Sequence, residues 1–238
     1  MRTVVVIPTY NERANLPRLV DALLRTPGLQ ILVVDDGSPD GTGDAADAMA
    51  VATAGRVSVL RRTGPRGLGL SYIEGMQHAL RLHAEAICQM DADFSHDPAD
   101  VPRLVAALAT ADVAIGSRYV PGGRVENWST RRVLLSAFAN QYVRAITGLP
   151  IRDCTSGFRC WRREALERLA LPRIRSNGYA FQVEMAWYAT ALGCRIVEIP
   201  ITFTERREGV SKLSARVVAE SVLLPWRLAG RRPPRGAR

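Results

Sequence analysis

The 238-residue chain has no apolar run approaching the ~18–20 residues that a membrane-spanning helix requires. It also has no C-x-x-C pair and no paired-histidine pattern, which argues against a structural zinc site or a dithiol redox centre. Cys88, Cys154, Cys160 and Cys194 read instead as buried or incidental thiols in a reducing cytosol. Histidine is scarce: His78, His83 and His96 are all there are, and the first two fall in a predicted helix, so no imidazole base presents itself. The opening apolar run, Val4-Val5-Val6-Ile7, is too short for a signal-peptide core and lacks a cleavage site, so no leader is expected. No internal repeat and no linker composition interrupts the chain, and a single domain over residues 1–228 is expected.

What is present points to a packed, basic protein. Hydrophobic residues make up 47% of the sequence, enough for a sizeable core, so disorder is expected only in the tail, residues 229–238. The formal net charge is +9. A surplus of that kind favours nucleic acid, anionic lipid or phosphorylated substrates. Part of it lies at the end, where Arg231, Arg232, Arg235 and Arg238 alternate with Pro233, Pro234 and Gly236. Nucleic-acid binding would call for basic residues interleaved with aromatic stacking positions, which this tail lacks.

The first half alternates strand and helix patterns. Thr3–Ile7, Ile31–Val34, Val57–Leu60, Ala86–Met90 and Val113–Gly116 read as short buried strands. Between them lie helical stretches: one capped by Asn11 and running to about Arg25, an alanine-rich one over Thr42–Ala54, one ending near His83, and one over Pro98–Ala109. Such alternation implies a mostly parallel sheet with right-handed crossovers. Beyond Arg118 the pattern loosens. Arg131–Leu149 and Ser211–Leu228 are amphipathic, Phe158–Trp161 reads as an edge strand, and Tyr179–Leu192 is helical.

Asp91-Ala92-Asp93 closes the strand Ala86–Met90 and precedes the breakers Ser95-His96-Asp97-Pro98. Carboxylates two residues apart in extended backbone share a side. Two hard oxygen ligands there suit Mg²⁺ or Mn²⁺, ions that commonly complete their shell with substrate phosphates. Tyr10-Asn11-Glu12 and Asp35-Asp36-Gly37 also fall at strand ends, so one sheet brings the three clusters to one rim, where open α/β sheets bind ligands. An acidic turn capping the next helix would account for the lone motif equally well.

In order along the chain stand Pro8-Thr9-Tyr10-Asn11-Glu12, Val34-Asp35-Asp36-Gly37-Ser38-Pro39-Asp40-Gly41-Thr42, Asp91-Ala92-Asp93 and Gly116-Ser117-Arg118-Tyr119. They resemble the inverting family-2 glycosyltransferases. The second half narrows the likeness: Asp153-Cys154-Thr155-Ser156-Gly157-Phe158-Arg159, Gly178-Tyr179-Ala180-Phe181-Gln182-Val183-Glu184-Met185 and Arg206 with Ser211-Lys212 resemble the polyprenol-phosphate mannose synthases of the short type without transmembrane helices. The likeness covers about Thr3 to Leu228. It implies a Rossmann-like GT-A fold, a mostly parallel central sheet flanked by helices with peripheral amphipathic helices. The basic tail is not part of the family pattern.

The resemblance implies roles residue by residue. Pro8, Tyr10, Glu12, Val34 and Asp36 would line the nucleotide pocket, with Tyr10 offering a stacking face and Glu12 and Asp36 accepting hydrogen bonds. Asp91, Ala92 and Asp93 would meet the sugar nucleotide through Mg²⁺ or Mn²⁺, with Ser95 where relatives carry Gln as a third ligand. Arg118, Arg206 and Lys212 would contact phosphate. Arg131 or Arg132 would approach the acceptor phosphate, with Arg132 favoured. Asp153 would orient Arg118, Arg132 or the acceptor, or else simply turn a helix-to-strand corner. The implied reaction moves mannose from GDP-mannose to polyprenyl phosphate at the cytoplasmic membrane face, without nucleic acid and with room for a membrane-embedded partner. One alternative keeps the lipid phosphate but changes the donor to another sugar nucleotide such as UDP-glucose. Another is a catalytically silent scaffold on the same fold.

Overall fold

β-Branched runs become strands and leucine or alanine stripes become the helices between them in the computed structural model of the chain, which describes residues 1–174, 176, 178–205 and 215–231. β1 (Thr3–Thr9), α1 (Leu16–Leu24), β2 (Leu29–Asp35), α2 (Thr42–Ala52), β3 (Val57–Arg61), α3 (Leu68–Arg81) and β4 (Ala86–Gln89) follow in turn. α4 (Val101–Ala107), β5 (Val113–Ser117), β6 (Arg124–Glu126) and α5 (Thr130–Thr147) come next. β7 (Arg159–Arg162), α6 (Arg163–Arg168), α7 (Gly178–Ala191), β8 (Ile196–Pro200), β9 (Thr202–Thr204) and α8 (Ala215–Ala229) complete the order. Seven strands form one sheet in the order β3-β2-β1-β4-β7-β5-β8, and β6 pairs with β9 in a small ribbon beside it. All pairs in the large sheet are parallel except the two made by β7.

Helices cover both faces, which is why the central strands are apolar at nearly every position. Val4, Val6, Leu32 and Val34 face one layer with Tyr72, Met76 and Phe181. Val5, Ile7, Ile31 and Val33 face the other with Leu16, Leu19 and Leu104. α3 lies unusually close to the sheet. A side chain at Gly75 would put its Cβ 2.5 Å from Val6 Cγ1 and 2.8 Å from Val34 Cγ2.

Several sequence expectations are corrected. Phe158–Trp161 does not form an edge strand: β7 lies between β4 and β5, because its apolar Cys160 and Trp161 are fully buried. Asn11 does not cap α1. It takes a left-handed φ of 59°, and Asn15 occupies the N-cap position. Cys88 and Cys160 are not incidental thiols. The antiparallel register sets them opposite one another, and they are disulfide-bonded, while Cys154 and Cys194 are free and buried. A separation of 72 residues carries no local signal of such a pairing. The start of the last expected helix, residues 211–214, and the tail beyond Arg231 lie outside the described residues.

Gly75→Ala should overpack the seam between α3 and the sheet, lowering stability by about 1–3 kcal/mol. The denaturant midpoint should fall with an unchanged m-value.

Candidate active site

Parallel strands end on one side of a sheet, so the carboxyl ends of β1, β2, β4 and β5 deliver Tyr10, Asp36, Asp91 and Arg118 to a common rim. β7, running the other way, begins at that rim and brings the preceding loop, Asp153–Gly157, with it.

The acids after β2 mainly build the loops. Asp35 accepts from Thr9 Oγ1 at 3.2 Å and from Ser38 Oγ at 2.6 Å. Asp36 accepts from Arg62 through one oxygen and from the Gly67 N–H at 2.8 Å through the other. Arg62, whose side chain is nearly inaccessible, also donates to Glu74 Oε1 at 2.8 Å. Asp36 therefore fastens the basic loop between β3 and α3 to the rim. That loop carries Arg66, whose guanidinium lies over the Tyr10 ring at 4.7 Å and donates to the Tyr10 hydroxyl. Glu12 accepts from Asn15 Nδ2 at 2.9 Å just ahead of α1. Pro8 is half-buried at the end of β1. Val34 has no exposed surface and faces α3, so its side chain supports the rim from beneath.

Asp91 and Asp93 follow β4 and are both half-buried, with Ala92 between them packed into the core. Tyr72, fully buried on α3, donates to Asp91 Oδ1 at 2.8 Å. Burial and the neighbouring Asp91 carboxylate hold the Tyr72 phenol well above its ordinary pKa, so it remains a donor. A Cβ at Gly157 would stand 3.4 Å from Asp91 Oδ2, an ordinary van der Waals contact, so the loop lies directly against the carboxylate. Asp93 Oδ1 accepts from the Ser95 N–H at 3.1 Å, and Ser95 itself is buried. No cluster of three or more carboxylate, imidazole or thiol side chains suited to a metal occurs among the described residues. Two carboxylates with few further protein ligands fit Mg²⁺ or Mn²⁺, which keep waters and substrate oxygens in their shells.

Beneath these groups Arg159 is fully buried and donates to the carbonyls of Ser156, Gln182 and Cys154, each at 2.8 Å. Burial pushes its guanidinium down to about 10, still protonated at neutral pH. It ties the loop before β7 to the start of α7.

Arg118 makes the tightest constellation. Its Nε donates to Asp153 Oδ2 at 2.7 Å, its Nη2 to Asp153 Oδ1 at 2.6 Å, and its backbone N–H to Oδ2 at 2.9 Å. Asp153 has no exposed surface, so it orients Arg118 from within and does not reach outward. Arg132, on α5, instead pairs with Glu205 Oε1 at 2.5 Å, and Arg131 beside it is exposed. Tyr119, Trp128 and Phe203 ring the Arg118 guanidinium at 5.3, 5.7 and 5.2 Å. Arg206 and Lys212 lie outside the described residues. His96 is buried at this rim, stacked on Phe158 at 4.9 Å and edge-on to Phe203 at 5.2 Å. Burial lowers its pKa, against the pull of Asp91 and Asp93, so the imidazole is neutral at pH 7.

Sequence reasoning missed Arg62, Tyr72, Trp128 and Glu205. A loop arginine, a helical tyrosine and two residues flanking a ribbon have no pattern of their own. Only the basic stretch Arg61–Gly69 hinted at the first.

Residues 4–170 match the glycosyl transferase family 2 profile. The chain is 50% identical over 234 residues to a polyprenol monophosphomannose synthase of Mycolicibacterium smegmatis, covering 97% of this chain and 88% of that protein. It is 47% identical to an undecaprenyl-phosphate mannosyltransferase of Micrococcus luteus, covering 97% and 96%. Among solved structures it resembles glucosyl-3-phosphoglycerate synthase of Mycobacterium tuberculosis in complex with Mn²⁺, UDP and glucosyl-3-phosphoglycerate, at TM-score 0.69 and 18% identity over 98% of this chain and 81% of that one. A mannosyltransferase of Pyrobaculum calidifontis in complex with GDP-mannose and Mn²⁺ is similar at TM-score 0.60 and 17% identity over 96% of this chain and 72% of that one. At these identities the structural likenesses speak to the fold alone.

Arg159→Met removes the donors to three buried carbonyls and should cost on the order of 3 kcal/mol. Urea unfolding of the variant beside the parent protein checks this.

Proposed function

The chain belongs to glycosyl transferase family 2, and on that premise we propose that it transfers mannose from GDP-α-mannose to a polyprenyl monophosphate with inversion, giving polyprenyl-phosphate β-mannose and GDP. The observation that carries this reading is the 50% and 47% identity, each along 97% of the chain, to two proteins named for mannosyl transfer to such lipids. The rim supplies compatible chemistry: paired carboxylates for a metal-bound diphosphate, and arginines for a second phosphate.

A phosphate monoester is already an anionic nucleophile near neutral pH, since its second pKa is about 6. Its oxygen forms the new bond to C1 of mannose as the bond from C1 to the GDP oxygen breaks on the opposite face. No proton has to be removed, which suits a rim whose His96 is buried and neutral. Tyr10 and Glu12, at the entrance to the β2 loops, would receive the base and ribose, with Pro8 beside them. Asp36 would act through the loop it holds. Arg118, fixed by Asp153, would face the phosphates together with Arg206 and Lys212. A divalent ion held by Asp91 and Asp93, with Ser95 adjacent, would neutralise the diphosphate and stabilise the departing GDP. Tyr72 and Gly157 would keep Asp91 in place for it. The chain's share of catalysis is positioning and preorganised charge.

The lipid has to be reached at a membrane surface. No described helix is long and apolar enough to cross one. Leu134, Leu135 and Phe138 on α5, and Val222, Leu223 and Trp226 on α8, are all at least half exposed. Tyr142 joins the two sets, stacking with Phe138 and accepting from Trp226 Nε1 at 2.9 Å. A contiguous apolar face on two helices suits interfacial binding to the cytoplasmic side of the membrane.

Purified protein given radiolabelled GDP-mannose, Mn²⁺ and polyprenyl phosphate should move label into the organic phase. Asp93→Ala should lose at least about 100-fold of that transfer, in line with the loss of a metal ligand. Arg131→Ala should retain far more activity than Arg118→Ala, with melting curves run alongside because the latter strands Asp153. Tighter calorimetric binding of UDP than of GDP would overturn the donor assignment.

Phe138→Asp combined with Trp226→Ser should reduce co-sedimentation with anionic-lipid vesicles about tenfold or more, given the apolar area removed. Binding equal to that of the parent protein would count against this face.

A further inference from the structure

Two guanidinium groups lie beside the Trp128 indole. The Arg132 guanidinium lies 4.1 Å from its centroid and that of Arg118 5.7 Å. Each arginine already has a carboxylate: Asp153 for Arg118 and Glu205 for Arg132. The two pairs together carry no net charge, which is a poor reception for a phosphate. One acid has to yield. Asp153 is fully buried and accepts three N–H bonds from Arg118, so expelling it would be costly. The Arg132–Glu205 pair is different, with side chains 35% and 44% exposed. An ion pair so exposed is worth only about 0–1 kcal/mol.

A second observation suits a polar ligand here. Among the described residues, six buried side-chain polar atoms lack a hydrogen-bond partner, and four of them belong to His96, Tyr119, Trp128 and Asn140. Tyr119 and Trp128 flank the Arg118 guanidinium, Asn140 shares Thr155 Oγ1 with it, and His96 packs on Phe203, which also meets Arg118. Of these, the Trp128 indole N–H and the Tyr119 hydroxyl can donate, so an anion beside the Arg118 guanidinium would meet them, whereas Asn140 Oδ1 only accepts and calls for a donor.

We propose that Glu205 is a placeholder for the acceptor phosphate on Arg132, and that Trp128 is the platform that keeps the Arg132 guanidinium in reach when Glu205 leaves. Both are positioning residues, and the inference rests on the acceptor reading given above. Exchange of one carboxylate for one phosphate leaves the pair's geometry intact and admits only anionic nucleophiles. A neutral alcohol cannot displace a carboxylate from a guanidinium.

The test uses the full chain with farnesyl monophosphate, a short soluble acceptor, titrated calorimetrically without donor. GDP with Mn²⁺ and farnesol are separate arms. Glu205→Gln should bind farnesyl phosphate about threefold to fivefold tighter, the worth of an exposed pair. Trp128→Leu should bind it about tenfold more weakly, with Trp128→Phe in between. GDP affinity should stay within twofold for all three, and farnesol should not bind. Glu205→Gln binding farnesyl phosphate no tighter than the parent overturns the placeholder role. Parallel loss of GDP and farnesyl phosphate binding in Trp128→Leu reduces Trp128 to a packing residue and overturns the platform role. If the parent binds GDP but no farnesyl phosphate, the acceptor reading itself falls and takes this inference with it.

Discussion

A carboxylate with no exposed surface needs donors on both of its oxygens, and Asp153 is matched on both by Arg118. Much of the rim is arranged by this pair. It binds the end of β5 to the loop that precedes β7, and through Thr155 it reaches Asn140 on α5. Glu198 on β8 secures the same loop from the far side by accepting the N–H groups of Arg152 and Asp153. Loss of either partner in a buried pair costs about 3–5 kcal/mol, far more than an exposed ion pair contributes. The loop is therefore held wherever Arg118 is held.

The antiparallel β7 is the other structural decision of consequence. Inserted between β4 and β5, it starts where its neighbours end, so its leading loop stands against the carboxylates that follow β4. Gly157 lies against Asp91, where a Cβ would stand 3.4 Å from Oδ2. Arg159, one step into the strand, anchors that loop to α7 from below. A purely parallel strand at this position would have entered the sheet from the opposite end and left the rim without this wall.

The charged residues of the rim divide by how deeply they are buried. Asp35 and Asp36 shape turns, and Asp36 reaches the basic loop through Arg62. Asp91 and Asp93 stand at the end of a strand with partial exposure. Arg118 is nearly enclosed, whereas Arg132 is partly exposed and paired with an equally accessible acid. The enclosed pairs fix geometry and the accessible ones can exchange partners.

The alternation of strand and helix was legible in the sequence because a sheet covered on both faces needs unbroken apolar strands, and period and composition report that directly. The clustering of Tyr10, Asp36 and Asp91 was legible for the same reason: parallel strands share a rim. The placement of β7 was not, since a four-residue stretch that mixes arginines with Cys160 and Trp161 carries too little pattern to tell an edge from the interior. Nor was the choice among Arg118, Arg132 and the acceptor as the partner of Asp153, which the resemblance left open, nor that of Arg62 for Asp36 or of Cys160 for Cys88. Local pattern fixes which face a residue takes and which end of a strand it occupies. Which distant side chain it meets depends on strand order and register, and those are settled only when all the layers pack at once.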